Sequence, residues 1–371
     1  MPPSSSPNGY SPLEQFPVEL VFEILSYLNV PTIKRLSLVS STLRPICFPA
    51  IFQSISISAY RTPRDFLTDM RLRWPIPCVR MLSFNSVDAD LKPYALLQWC
   101  APARELEMRS ISNPRLYVPL LLGLGELRVV RLDRIAFHRF ADLFELLQSL
   151  SSKVKDLTIG SAVGFASMPS ENDPILWTRK RIKLEKLSIS TSLVLELLLR
   201  EDSPVDLSQL NTAETRNVGS HTINKLGRLS PRLATLVIKD PPLESNNEYL
   251  ELPAIKELTL SFRVLERRST PLSTFLKPSD ANLEELTIKL PLEFVMEEGR
   301  GEWEWLASVL SRRSKLKRVK VMAWTRPCRI YKYAVLMLNE LCHELEPRGR
   351  RILAILASDH FEVTMDVAHL S

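Results

Sequence analysis

Glycine is scarce in this chain, ten residues among 371. That argues against the Gly-rich loops that cradle phosphates, which need positive φ and close backbone approach. The nearest match, Gly123-Leu124-Gly125, follows a predicted helix and leads into a strand at Leu127, as a helix-terminating glycine does. Cysteine is equally sparse. Cys47, Cys78, Cys100, Cys328 and Cys342 are odd in number, scattered among apolar residues and never spaced Cys-x-x-Cys. A disulfide framework and the strong zinc patterns are thereby excluded, and reduced core thiols in an intracellular compartment, cytoplasmic and/or nuclear, are expected. The five histidines form no His-x-x-x-His or His-Glu-x-x-His. Cys342 and His343 are neighbours on a predicted helix, point in different directions and cannot act as a nucleophile–base pair. No catalytic residue, metal or cofactor is implied, and the chain is not expected to be an enzyme.

Long apolar runs are missing too. Residues 117–125 and 352–357 are too short to span a bilayer, so no membrane association is expected. Residues 1–12 open with a Pro/Ser stretch lacking a basic or apolar signal region, and they read as a disordered tail. No Asn-x-Ser/Thr acceptor occurs. Charge of one sign is not dominant: 48 basic and 42 acidic residues give +6. The tightest basic runs, Arg179–Arg181 with Lys183, Arg312–Lys320 and Arg348–Arg351, read as solvated faces, and no nucleic-acid partner is expected. With 45% hydrophobic and 24% charged residues, the composition is that of an ordinary globular protein.

What the chain does have is concentrated first in residues 16–43. Pro17 can open a helix because it has no N–H to leave unpaired. Leu20, Val21, Ile24, Leu25 and Leu28 then recur with helical period, and Pro31 restarts the pattern for Ile33, Leu36 and Val39. Helices this short are marginal without packing partners. Faces this wide cannot all be satisfied within the hairpin, so the segment is expected to dock on something.

The segment resembles an F-box, whose pattern is Leu-Pro-x-Glu-Leu, Ile-Leu-x-x-Leu, a Pro-led second helix and Leu-x-x-Val-Ser/Cys. Pro17, Glu19, Leu20, Ile24, Leu25, Leu28, Pro31, Leu36, Val39 and Ser40 are in register with it. The departures are Phe16 for the opening Leu, Thr32 near a usual acidic position, Ser41 for a basic residue and Leu43 for a frequent Trp. The resemblance implies a three-helix domain over residues 13–55 that binds the Skp adaptor and, through it, a cullin ligase. It carries the adaptor contact face onto Pro17, Leu20, Ile24, Leu25, Leu28, Ile33, Leu36 and Val39.

A second signal recurs downstream: an apolar residue, two free positions, an apolar residue, one free position, an apolar residue. Copies start at 79, 103, 127, 154, 184, 207, 233, 255, 283 and 316, the copy at Leu207 being the weakest, with steps of 24, 24, 27, 30, 23, 26, 22, 28 and 33. Each copy predicts a short strand whose alternate residues point inward. Helical returns are predicted at 140–149, 193–200, 222–229 and 303–310, and loops at 160–174 and 293–302. One strand with one return cannot bury its own apolar face, so neighbours must stack. A single layered α/β sheet domain shares the same alternation.

This resembles a degenerate leucine-rich repeat. The usual Asn or Cys after the strand is replaced by Val87, Ile111, Ile135, Ser192, Pro241, Arg263, Pro291 or Trp324, so the usual side-chain ladder between turns cannot form. The expected fold class is α/β: a three-helix F-box followed over residues 56–371 by a leucine-rich-repeat-like solenoid. At its end, a helix at 331–345 and strands at 352–356 and 361–363 are expected to form a cap. Free strand positions would line one face for a target protein, with Glu105, Glu107, Arg109, Arg131, Lys186, Glu257, Glu285 and Arg318 as candidate contacts. Trp303, Trp305 and Trp324 are secondary candidates. The function these resemblances imply is a substrate receptor of an SCF-type (Skp–cullin–F-box) ubiquitin ligase. The alternative is a repeat scaffold unrelated to ubiquitin.

Overall fold

The structure, a computed structural model, describes residues 12–58, 79–86, 101–161, 163–166, 181–241, 250–251, 254–262, 282–291, 315, 317–324, 351–357 and 360–366. The chain forms two compact units, Met1–Val154 with Ala162–Asp173, and Lys155–Ser161 with Pro174–Ser371.

The first unit opens with a 3-10 turn at Pro12–Gln15 and three helices, α1 (Val18–Ser26), α2 (Val30–Val39) and α3 (Leu43–Ile51). Pro17 stands one residue before the helix it was expected to open, and its carbonyl accepts from the Leu20 and Val21 amides. Asn29 caps α2, its side chain accepting from the Thr32 amide and hydroxyl at 3.0 and 2.7 Å. Four parallel strands follow: β1 (Ser54–Ser58), β2 (Met81–Asn85), β3 (Glu105–Arg109) and β4 (Val129–Asp133). The first return among the described residues is a 3-10 turn, Pro114–Tyr117, running into α4 (Val118–Gly123), and the second is α5 (Phe140–Ser149).

The second unit continues the pattern with seven parallel strands: β5 (Asp156–Ile159), β6 (Lys186–Ile189), β7 (Thr212–Arg216), β8 (Thr235–Lys239), β9 (Glu257–Ser261), β10 (Glu285–Pro291) and β11 (Arg318–Trp324). Its described helices are α6 (Ser192–Leu198) and α7 (Ser220–Leu229). The predicted returns at 140–149, 193–200 and 222–229 thus form within a residue or two. The chain then reverses: β12 (Arg351–Ala357) and β13 (His360–Asp366) make an antiparallel hairpin, β13 pairing on β11. The helices expected at 303–310 and 331–345, the loop at 293–302 and Trp303 and Trp305 lie outside the described residues.

In both units pairing places like positions of successive copies side by side. Leu106 sits opposite Val130, and Leu258 opposite Leu286. Alternate strand residues point inward, and Leu82, Phe84, Leu106, Met108, Val130 and Leu132 are all buried. Each such side chain contributes roughly 1.5–3 kcal/mol on burial.

Two strands differ from expectation. β1 begins a copy, Phe52-Gln53-Ser54-Ile55-Ser56-Ile57, that fits the repeat pattern and straddles the domain boundary expected at 55/56. The copy expected at Leu207 is displaced, because the strand is Thr212–Arg216 and its leading residue is Leu210. The physical reason is that Ala213 and Thr215 occupy the inward positions that Leu187 and Ile189 fill one strand earlier, which hides the true copy. Thr215 is buried, and its hydroxyl has no hydrogen-bond partner among the described residues. Thr215→Val keeps the β-branched shape and removes that orphan. It is expected to raise the denaturation midpoint of the full chain by the equivalent of about 1 kcal/mol. A lowered midpoint in urea would show that the hydroxyl is satisfied.

The missing Asn ladder has a backbone substitute. Ser86, Ser110, Arg134, Asn217 and Asp240, each the residue after a strand, adopt left-handed φ of 52°, 53°, 53°, 51° and 46°. The amides of Ser86, Ser110 and Asn217 donate across to Arg109, Asp133 and Lys239 carbonyls at 3.0 Å, and that of Asp240 to Ser261 at 2.7 Å. The kink drops the following residue, Ile111, Ile135 or Val218, into the core. In a glycine-poor chain this turn is made with side chains present, at a cost of about 1–2 kcal/mol each.

Candidate functional site

Two surfaces answer to the expected sites. The first is built on the three helices. Val21, Leu25, Ile33, Leu43 and Cys47 form a buried cluster, with Leu28 and Leu36 packed at its edge. Burial also pushes the Cys47 thiol up from its ordinary value, so this free cysteine is an inert core residue. Ser40 ties the opening 3-10 turn to the start of α3, donating to the Glu14 carboxylate and accepting from the Leu43 amide at 3.0 Å.

Helix α1 carries two apolar stripes. Val21, Leu25 and Leu28 point inward. Leu20, Ile24 and Tyr27, offset by one residue, point outward with the same i, i+4, i+7 spacing. Leu20 is 46% exposed, Ile24 36% and Tyr27 81%. Together with Phe16 and Glu23 they line a shallow groove of about 270 Å³. On α2, Leu38 and Val39 are exposed as well.

The eight expected contact residues therefore separate. Pro17, Leu20, Ile24 and Val39 face solvent, and Leu28 and Leu36 are half-buried. For Leu25 and Ile33, at 4% and 3% exposure, an outward-facing role is corrected, because they knit the helices together. Sequence reasoning passed over Phe16, Tyr27 and Leu38. The signal for two of them was available, since Phe16 and Tyr27 extend the Leu20–Ile24 stripe by one turn at each end.

Residues 13–47 match the F-box domain. The match ends within α3, and about nine-tenths of the chain lies outside it. No curated protein matches the chain. A solved structure described as the crystal structure of the Rad7 and Elc1 complex in yeast aligns over 73% of this chain and 87% of that one. Identity is 14% and the TM-score 0.27, too remote a likeness to carry inference.

The second surface is the strand face, taken separately in each unit. In the first, β3 and β4 bring Glu105, Glu107, Arg109 and Arg131 together. Arg131 pairs with Glu105 at 3.0 Å and Arg109 with Glu107 at 2.6 Å, while Ser83 donates to Glu107 at 3.1 Å. In the second, Lys186 lies 3.6 Å from Asp156, Thr235 donates to Glu257 at 3.1 Å, and Arg318 meets Glu285 at 3.5 Å. Each expected target contact thus already has a partner on its own or a neighbouring strand. The second unit's central row is mostly small and neutral: Thr158, Ser188, Val237, Thr259 and Thr287. Lys315 and Lys317 of the basic run are also engaged, with Asn282 and Glu284; Arg312 and Arg313 lie outside the described residues. Among the described residues no Cys/His/Asp/Glu group is placed to hold a metal, and no helix is long and apolar enough to cross a membrane.

Proposed function

We propose that this chain is a non-catalytic substrate-recognition subunit of an SCF-type ubiquitin ligase, its F-box docking on the Skp adaptor and its repeats holding a target protein. The observation that carries the reading is the F-box at residues 13–47 with a continuous apolar stripe, Phe16, Leu20, Ile24 and Tyr27, left facing solvent. Exposed apolar surface of this kind, beside a core already complete, marks a protein interface. The repeats are read as a leucine-rich-repeat-like solenoid with β12 and β13 as its cap, a shape that offers an extended strand face to a target. The proposed work is proximity: a held target presents its lysines to the ligase's charged conjugating enzyme at raised effective concentration. A cytoplasmic or nuclear location follows from the same reading.

The test is co-purification of the full chain with a Skp adaptor and cullin. Stable ternary capture supports the reading. A folded chain that captures neither would favour a repeat scaffold outside the ubiquitin system.

A further inference from the structure

We propose that the first unit holds a second docking site, separate from the adaptor face, for an acidic peptide segment bearing a bulky apolar residue. A cleft of about 640 Å³ opens between the helices and the first strands. Its apolar wall includes Phe22, Leu28, Val30 and Pro49, and its other lip includes Arg80 and Arg104. On α1, the cleft residues Phe22, Leu25 and Ser26 lie about half a turn round the helix from Leu20, Ile24 and Tyr27. The two surfaces therefore face opposite ways, and both can be occupied at once.

The charge is what commits the occupant. Arg80, Arg104 and Arg128 hold the same position in three successive copies, directly after the leading apolar residue. Their backbones are locked in step: the Arg80 carbonyl accepts the amides of Arg104 and Glu105, and the Arg104 carbonyl those of Arg128 and Val129. Neighbouring strands stand about 4.8 Å apart. Three exposed arginines thus leave the backbone at that repeat, and among the described residues none of their side chains has an ion-pair or hydrogen-bond partner. A nearby acid, Glu126, is hydrogen-bonded by Lys153 at 2.5 Å, which chiefly lowers its pKa; Arg128 and Arg104 add to that field.

The second unit supplies the comparison. There the charged residues at the same position alternate in sign on either side of the neutral Asn211 and Ala234, with Lys155 bonded to Glu185, and Glu284 held between Lys256 at 3.8 Å and Lys317 at 2.5 Å. Like charges facing each other across strands are destabilising. A row that neutralises itself in one unit and stacks three cations beside an apolar cleft in the other is built for an anion from outside. Carboxylates at strand spacing meet the arginines, and the apolar residue enters between Val30 and Phe22.

The experiment uses the full chain and a fluorescein-labelled twelve-residue peptide with five glutamates around a central Phe-Leu, read by fluorescence polarisation. Saturable binding is expected, weakening steeply between about 0.05 and 0.3 M salt. Arg80→Glu with Arg104→Glu should reduce affinity at least about tenfold, while Arg228→Glu, on α7 of the second unit and not a cleft residue, should not. Substituting lysine for the glutamates should abolish binding. The idea is overturned by no saturation at millimolar peptide, by equal affinity of the double variant, or by tighter binding of an RNA oligomer or phosphatidylserine vesicles than of the peptide. Adaptor capture separates the two readings: the arginine variant should still be captured, and a chain altered at Leu20 and Ile24 should still bind peptide.

Discussion

Replacing Leu20 and Ile24 together by aspartate is expected to abolish capture of the Skp adaptor while the chain stays folded. Both side chains stand on the outward stripe of α1 and belong to no buried cluster, so two new carboxylates remain solvated in the free protein. In a complex they would be forced against an apolar partner, where an unpaired charge costs several kcal/mol. Since about 1.4 kcal/mol is tenfold in affinity, the pair should weaken binding by roughly a thousandfold or more. Leu25→Ala is the necessary contrast. It removes a core side chain at a cost of about 2–5 kcal/mol and is expected to lose capture by melting the helices. Circular dichroism of the two variants beside a pull-down distinguishes them. Undiminished capture by a folded Leu20→Asp, Ile24→Asp chain would remove this stripe from the interface.

That contrast shows what periodicity can and cannot deliver. The spacing of apolar residues in 16–43 fixes the helices, because a helix needs only local order along the chain. It does not say which of two adjacent stripes faces in, because α1 is apolar nearly all round. Leu25 and Leu20 look alike in the sequence, and only the positions of α2 and α3 separate them. The repeats were legible for a related reason: each copy sees the same surroundings, so each keeps the same three inward residues. The copy at Leu210 escaped because alanine and threonine replace two of them, and β1 escaped because its copy starts at Phe52, immediately after α3.

The strand face was the least legible part. Its free positions could be enumerated, but charge pairing belongs to the register between strands. Arg131 meets Glu105, 26 residues earlier, because β3 and β4 lie side by side. The same ignorance of register hid the arginine row, whose members are 24 residues apart in sequence and neighbours in space. The left-handed turns were invisible for a different cause. With glycine so scarce the usual marker of positive φ was absent, and serine, arginine, asparagine and aspartate took its place.

Phe84→Ala should produce the largest loss of stability in the first unit, and it should do so without loss of adaptor capture. Phe84 is buried on β2, in register with Ile57 on one side and Met108 on the other. Its ring meets Tyr117 edge-on, with centroids 4.9 Å apart. Removing a buried phenylalanine ring costs about 3–5 kcal/mol, because a close-packed interior cannot collapse to fill the space. Stacked repeats depend on nearest neighbours, so the loss should fall on β1, β2 and β3. Slow-exchanging amides there should lose at least about a hundredfold of protection. The buried cluster of the F-box draws on none of these strands; its members and edge residues all lie between Leu13 and Ile51. The helices should therefore keep both their exchange protection and their hold on the adaptor. If capture and the protection of α1–α3 fell together with β2, the helices would prove to be propped up by the repeats, and the outward stripe of α1 would be a dock only when the strands beneath are intact.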